Sequence, residues 1–246
     1  MKVAVTGAAG ALGQALVPAL ATEHEVRASD LETRDGAIPI AAADVLDRQA
    51  MDALCEGVEA VVHLAHAAWD EALSDDANVA RILDTRIKGT YTLLLAAAEK
   101  GVRRVVQVSD LCALSGYGAE LIVSEDFVPL PDTSPHQQAV YLSELVGREF
   151  ARLHPGMVCT LRLGTLIDAA APPQDAAPGE DWLDRRDAVA AILRGLEVDS
   201  FDGFQHWGLY DLAAPTPGGR FDLRKIRDGR FGFAPQHGFA AGWEEA

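Results

Sequence analysis

The chain has 246 residues and a formal net charge of −16, from 21 Lys+Arg against 37 Asp+Glu. So acidic a surface repels nucleic-acid phosphates and anionic lipid, so neither is expected as a partner. Hydrophobic residues make up 49%, enough for a sizeable core, yet no run of about 18 apolar residues is present to form a membrane span.

In chain order, Val3, Ala4 and Val5 form a short apolar run that reads as a buried parallel strand. Gly7, Gly10 and Gly13 follow at three-residue spacing and open a helical run that ends near Leu20. Strand, glycine turn and helix in that order suit a dinucleotide pyrophosphate. Gly7 allows the tight turn, Gly10 lets backbone approach phosphate, and Gly13 lets the helix lie on the strand. The helix N-terminus adds free N–H groups and a partial positive charge. Gly7, Ala9, Gly10, Ala11, Leu12 and Gly13 are therefore the candidate phosphate-binding residues. An ordinary strand–turn–helix without a ligand has the same local pattern, so the later segments must decide.

Glu25–Asp30 reads as the second strand, with Asp30 at its end, roughly twenty residues past the glycine turn where this arrangement meets an adenosine ribose. A carboxylate there accepts bonds from both ribose hydroxyls and repels a 2′-phosphate, which favours NAD over NADP. Arg27 and Arg34 lie close enough in sequence to weaken that preference. A third short strand runs from Ile38 and ends at Asp44 and Val45. Asp47 is the expected N-cap of a helix reaching Glu56. Val58–Ala67 is the fourth strand and its exit, carrying His63, which reads as structural, and His66, which falls near the nicotinamide side.

Asp75–Lys100 reads as one long helix with an apolar side at Ile82, Ile87, Tyr91, Leu94, Leu95 and Ala98, stopping at Gly101. Val102–Ser109 is the fifth strand, Gln138–Leu153 a helix, and Gly156–Gly164 the sixth strand and exit. An Ala/Pro-rich stretch over residues 169–179 reads as a linker or lid. Asp184–Leu196 is a helix, Gly203–Asp211 a further strand, and a terminal helix follows Phe221. Alternating βα units with a phosphate turn give an α/β fold, a doubly wound parallel Rossmann sheet. One domain over residues 1–246 is expected, with residues 165–246 forming a small substrate-side cap. Cys55, Cys112 and Cys159 are an odd, scattered set with no metal spacing, so no metal is expected. With no secretory signal, they suggest a reducing, cytoplasmic compartment.

Several segments together resemble the extended and atypical short-chain dehydrogenase/reductases, the NAD-dependent epimerase and dehydratase relatives. The Thr-preceded G-x-x-G-x-x-G turn is similar to theirs. Val61-Val-His-Leu-Ala-His66 resembles their V-V-H-L-A-A, whose backbone lines the cofactor, with His66 in place of a small residue. Residues 86–98 resemble N-V-x-G-T-x-x-L-L-x-A-A, with Arg86 where an active-site-supporting Asn is usual. The resemblance implies that Asp44 contacts adenine, that Val45 packs on its ring, and that Leu64, Ala65 and His66 line the cofactor. It also implies a serine-rich run followed by Tyr-Gly. Here that run is Ser109–Gly118, and the catalytic Ser/Thr position falls on Leu111, which cannot hydrogen-bond a substrate oxygen.

The next family motif, Y-x-x-x-K, pairs a tyrosine with a lysine that lowers its pKa. In the register set by Ser143, the tyrosine becomes Val140 and the lysine Glu144; counted from Tyr141, the fourth residue on is Leu145. Neither register supplies a cation. The candidates for proton transfer are, in order, Tyr141, Tyr117 and His66, with Ser109 orienting the substrate oxygen.

Two functions follow. One is an NAD-dependent oxidoreductase or epimerase/dehydratase-like enzyme with a non-standard site, acting on a small hydroxyl or carbonyl substrate. The other is a catalytically silent NAD-binding sensor or assembly protein. The resemblance also implies a homodimer packed through the 75–100 and 138–153 helices.

Overall fold

A computed structural model describes residues 1–170, 179–203, 206–216 and 219–239. The stretch read as a lid falls largely outside them. Seven strands form one sheet: β1 (Lys2–Thr6), β2 (Glu25–Asp30), β3 (Ile40–Ala42), β4 (Ala60–His63), β5 (Arg104–Asp110), β6 (Met157–Leu163) and β9 (Trp207–Leu212). Their order is β3-β2-β1-β4-β5-β6-β9, every pair parallel. The order reverses between β1 and β4, and a ligand crevice forms at that reversal, beyond the C-terminal strand ends. A separate parallel pair, β7 (Thr165–Ile167) and β8 (Trp182–Asp184), follows β6.

The strands are apolar on both faces because helices cover both. On one side lie α1 (Ala11–Leu20) and α6 (Arg185–Glu197), whose Leu16, Leu20, Ile192 and Leu196 pack on Val3, Val5, Val62, Val106 and Leu161. On the other lie α2 (Arg48–Cys55) and α4 (Gly89–Glu99), with Met51, Leu54, Leu93 and Ala97 on Ala4, Val61, Val105 and Val158. Val3 and Val5 face one layer and Ala4 the other, the two-residue alternation of a strand. Burying one such Leu or Val contributes about 1.5–3 kcal/mol.

Capping residues set the helix starts. Asp47 accepts bonds from the Gln49 and Ala50 N–H groups, as its type predicts. Ser134 accepts from Gln137 N–H, so α5 (Pro135–Leu153) begins three residues before the expected Gln138. The expected 75–100 helix is two α-helices, α3 (Asp75–Leu83) and α4, joined by one π-helical turn over Asp84–Lys88. The five-residue step from Ile82 to Ile87 is the mark it leaves in the sequence, and the buried side of α4 runs through Leu93, Leu94, Ala96 and Ala97 rather than the expected Tyr91, which is 50% exposed. Gly101 ends the unit at φ +72°. The terminal helix α7 is short, Arg224–Asp228. Asp187, on α6, anchors the segment beyond it by accepting bonds from the Gln236 and His237 N–H groups. Among the described residues, no helix is long and apolar enough to cross a membrane.

Candidate active site

A cleft of about 470 Å³ opens where the strand order reverses, running from the glycine turn to the ends of β4, β5 and β6. Gly7 sits at φ +72°, and a Cβ there would stand 2.7 Å from the Ala65 amide nitrogen. Only glycine gives both that conformation and that approach. A Cβ on Gly13 would meet the Ala8 carbonyl oxygen at 2.5 Å, so its absence is what lets α1 lie on the turn. Gly10, Ala11, Leu12 and Gly13 line the cleft floor at the N-terminus of α1, with Leu64 and His66 opposite. Free N–H groups and the helix dipole there suit an anion.

At the β2 end, the Asp30 carboxylate accepts the Ala9 N–H at 2.8 Å and the Leu31 N–H at 2.7 Å. It is thus fixed beside the glycine turn with lone pairs to spare. Arg27 does not oppose it: its guanidinium is spent on the Ala53, Leu54 and Glu56 carbonyls at the end of α2. Arg34 is exposed and pairs with Ile40 through its backbone. Asp44 is exposed at the end of β3 and accepts the Leu46 N–H. Val45 is buried against α4, where a Cβ on Gly89 would meet its side chain at 2.5 Å.

The two histidines of β4 divide as their surroundings dictate. His63 is buried between Thr6 Oγ1, 2.7 Å from Nδ1, and Thr90 Oγ1, 2.9 Å from Nε2. The Thr90 hydroxyl donates to the Arg86 carbonyl, so it accepts from His63 Nε2–H and leaves Nδ1 to accept from Thr6. Burial, with the Arg86 cation and His66 nearby, pushes the His63 pKa down to about 3, and it stays neutral. His66 instead opens onto the cleft. Its Nδ1 lies 3.1 Å from the Leu64 carbonyl, which can only accept, so Nδ1 carries the proton and Nε2 presents a lone pair. Enclosure by the cleft walls, with Arg86 and His136 adding to it, lowers the His66 pKa below its ordinary 6.5, despite the opposing Leu64 bond.

The π turn delivers Arg86. Arg86 is only 8% exposed as a residue; its guanidinium donates to the Val108 carbonyl at 3.0 Å, and the residue lines the cleft. A π turn re-aims the side chains it carries. Burial lowers the Arg86 pKa, opposed by Asp110, Cys112 and Glu144; an arginine remains charged regardless. Asp110 and His136 complete this end of the cleft. Sequence reasoning did not single them out. The Ser134-Pro135 helix start was a signal that could have placed His136 in the first turn of α5, facing the end of β5.

The expected residues therefore separate. Ser109 lines the cleft, but its hydroxyl donates to Glu144 Oε1. Leu111 is buried in a small apolar cluster with Leu114 and Val123. Tyr141 does not line the cleft. It lines a different groove of about 840 Å³ between α5 and the β9 edge, with Glu144, Arg148 and Arg162. The cause is helical rotation: Val140 is fully buried, and the next residue points about 100° away around the helix. Tyr117 is also turned elsewhere, its hydroxyl donating to the Val128 carbonyl at 2.6 Å. Trp69 is 45% exposed and outside the cleft lining. Arg148 pairs with Glu149, its chain neighbour, rather than with Glu144.

Comparison with known proteins agrees with this architecture. Residues 3–177 match the sequence model of the NAD dependent epimerase/dehydratase family. An L-arabinose 1-dehydrogenase (NAD(P)(+)) of Haloferax volcanii is 29% identical over 219 residues, 82% of this chain and 78% of that protein. Sterol demethylase protein B of Methylococcus capsulatus is 37% identical over 221 residues, 80% of this chain and 66% of that one. Among solved structures, a uronate dehydrogenase from Agrobacterium tumefaciens complexed with NAD superposes with a TM-score of 0.80 at 22% identity, covering 97% of this chain and 85% of that one. That superposition bears on the fold.

Proposed function

The chain belongs to the NAD dependent epimerase/dehydratase family, and from that premise we propose that it is an NAD-dependent oxidoreductase acting on a small polyhydroxylated substrate. The dehydrogenases it is similar to, named for arabinose and uronates, support a sugar-sized hydroxyl or carbonyl compound. The observation that carries the reading is one continuous cleft with a glycine-cradled anion site at one end and a neutral, lone-pair-bearing His66 at the other.

The residues present fit the cofactor. Gly7, Gly10, Ala11, Leu12 and Gly13 would hold the pyrophosphate, Asp30, itself fixed by the Ala9 N–H, the adenosine ribose, and Asp44 the adenine edge, while Val45 supports that edge from beneath, buried against α4. Leu64, Ala65 and His66 would flank the nicotinamide half. When bound, NAD supplies the hydride acceptor. His66 Nε2 takes the proton of the substrate hydroxyl. The fixed charge of Arg86 favours the negative character that develops on that oxygen. Ser109, its own proton committed to Glu144, has lone pairs left to orient a substrate hydroxyl. Tyr141, in the other groove, has no proton-transfer role in this reading.

The test is turnover with NAD⁺ across a panel of aldoses, uronates and small hydroxy acids. His66→Ala should lower kcat by at least about 100-fold, the usual worth of a general base, and Tyr141→Phe should leave it within twofold. Equal loss in both variants would contradict the assignment of the base. A second reading, an NAD-binding protein without turnover, draws support from Leu111, Val140 and Glu144 at the positions where the resembling family has its catalytic groups. NADH binding with no reaction on any substrate would favour it.

A further inference from the structure

Three side chains of different types converge at the end of the cleft beyond β5 from three successive elements. Asp110 ends β5, Cys112 lies in the short 3₁₀ helix that follows (Leu111–Leu114), and His136 sits in the first turn of α5. One ligand atom from each lies within 4.8 Å of the others. Asp110 Oδ1 accepts the Cys112 N–H at 2.7 Å, which orients the carboxylate so that Oδ2 faces His136 Nε2 at 3.7 Å. We propose that Asp110, Cys112 and His136 bind a divalent metal ion of the zinc type.

The donor set selects the ion. One thiolate, one imidazole and one carboxylate suit borderline-soft zinc, and a thiolate excludes calcium and magnesium. The carboxylate and thiolate together carry the charge that balances a dication. Three protein ligands leave a fourth position open, the pattern of a catalytic rather than a structural zinc site. Asp110 and His136 both line the cleft, so an ion they held would be accessible from it. Such an ion would polarise a hydroxyl or carbonyl oxygen, in concert with the Arg86 charge. Metal binding stands on these three side chains alone; its use on substrate rests on the oxidoreductase reading. Burial and Asp110 push the Cys112 thiol well above its ordinary range, so uptake of the ion displaces a proton. Local spacing does not show the site, because His136 joins the other two only through the packing of α5 on the end of β5.

The experiment is titration of the chelator-treated full chain with Co²⁺ at neutral pH without NAD. A stoichiometric near-ultraviolet thiolate-to-cobalt charge-transfer band, with the intense visible bands of a low-coordinate site and displacement by Zn²⁺, is the expected result. Cys112→Ser should remove the charge-transfer band. His136→Gln, at a side chain 46% exposed and so safe for folding, should weaken Co²⁺ binding tenfold or more. No charge-transfer band, or one that survives Cys112→Ser, would overturn the site. NADH fluorescence titration of the same samples keeps the readings apart. A cobalt band without NADH binding supports the metal site and contradicts the cofactor; NADH binding without the band overturns the metal site alone.

Discussion

Glu144 and Arg162 form a buried, two-pronged ion pair, with Oε1 2.8 Å from Nε and Oε2 2.8 Å from Nη2, both side chains at most 3% exposed. Glu144, on α5, is a buried carboxylate matched by a buried cation, Arg162, from β6. Burial opposes the charge on Arg162, yet the Glu144 fork and Asp211 more than restore it and raise its pKa.

Removing one partner of that pair leaves the other charged and buried. Glu144→Gln should destabilise the fold by about 3–5 kcal/mol, read as the shift in the urea unfolding free energy. Glu144→Lys should be worse still, because two cations would then meet beside Ser109. A stable, active Glu144→Lys protein would contradict the ion-pair account.

Asp211 is completely buried, and its Oδ2 has no hydrogen-bond partner among the described residues. Burial pushes its pKa up to about 7, opposed by Arg162 and reinforced by Glu125 and Glu144. The Glu125 carboxylate, also raised by burial, accepts the Asp211 N–H at 2.9 Å. The folded state therefore keeps a proton on this pair that the unfolded chain gives up near its ordinary 3.8. Between those two values the native state binds more protons, so stability falls as pH rises, by at most about 1.4 kcal/mol per pH unit for one proton. Asp211→Asn should flatten that part of the profile, as thermal melts from pH 4 to pH 7 would show. An unchanged slope would remove Asp211 as its source.

Much of this was legible in the sequence. The β1–glycine–α1 unit, the extent of β2 and the Asp47 cap follow from local rules of period, turn and capping that tertiary packing did not override. The resemblance of Val61-Val-His-Leu-Ala65 to a cofactor-lining segment pointed to His66, which lines the cleft. Other features depend on geometry that no local pattern carries. One five-residue step, Ile82 to Ile87, is all that marks the π turn in the sequence, and it does not say where Arg86 points. Tyr141 neighbours a buried Val140, and one residue of helical rotation sends its ring to the other groove. Asp110 and His136 are brought together only when α5 docks on β5.

Gly13 tests the packing half of the phosphate turn. Gly13→Ala places a methyl 2.5 Å from the Ala8 carbonyl oxygen and 2.6 Å from its Cα, backbone that cannot step aside cheaply. The expected cost is about 1–3 kcal/mol of stability, with NADH affinity falling as α1 shifts from the turn. Gly10→Ala, whose nearest contact would be 3.4 Å, should cost the fold much less and still impair phosphate approach. Equal melting temperatures for both variants would contradict this division of roles.

The lowered pKa of His66 sets the acid side of the rate profile. A base must be neutral to accept a proton, and depression below 6.5 keeps His66 neutral to lower pH. The acid limb of kcat/KM should therefore fall below pH 6.5 and disappear in His66→Ala. A limb above that value, or one that persists in the variant, would assign the proton elsewhere.

Whether the cleft binds the dinucleotide is the claim on which the rest depends. Calorimetric titration of the full chain with NADH at neutral pH tests it directly. The account predicts a single site of micromolar affinity or tighter. Asp30→Ala should weaken it by roughly tenfold or more, the worth of a charge-assisted bond. No measurable binding in the wild-type protein, or binding indifferent to Asp30→Ala, would contradict it.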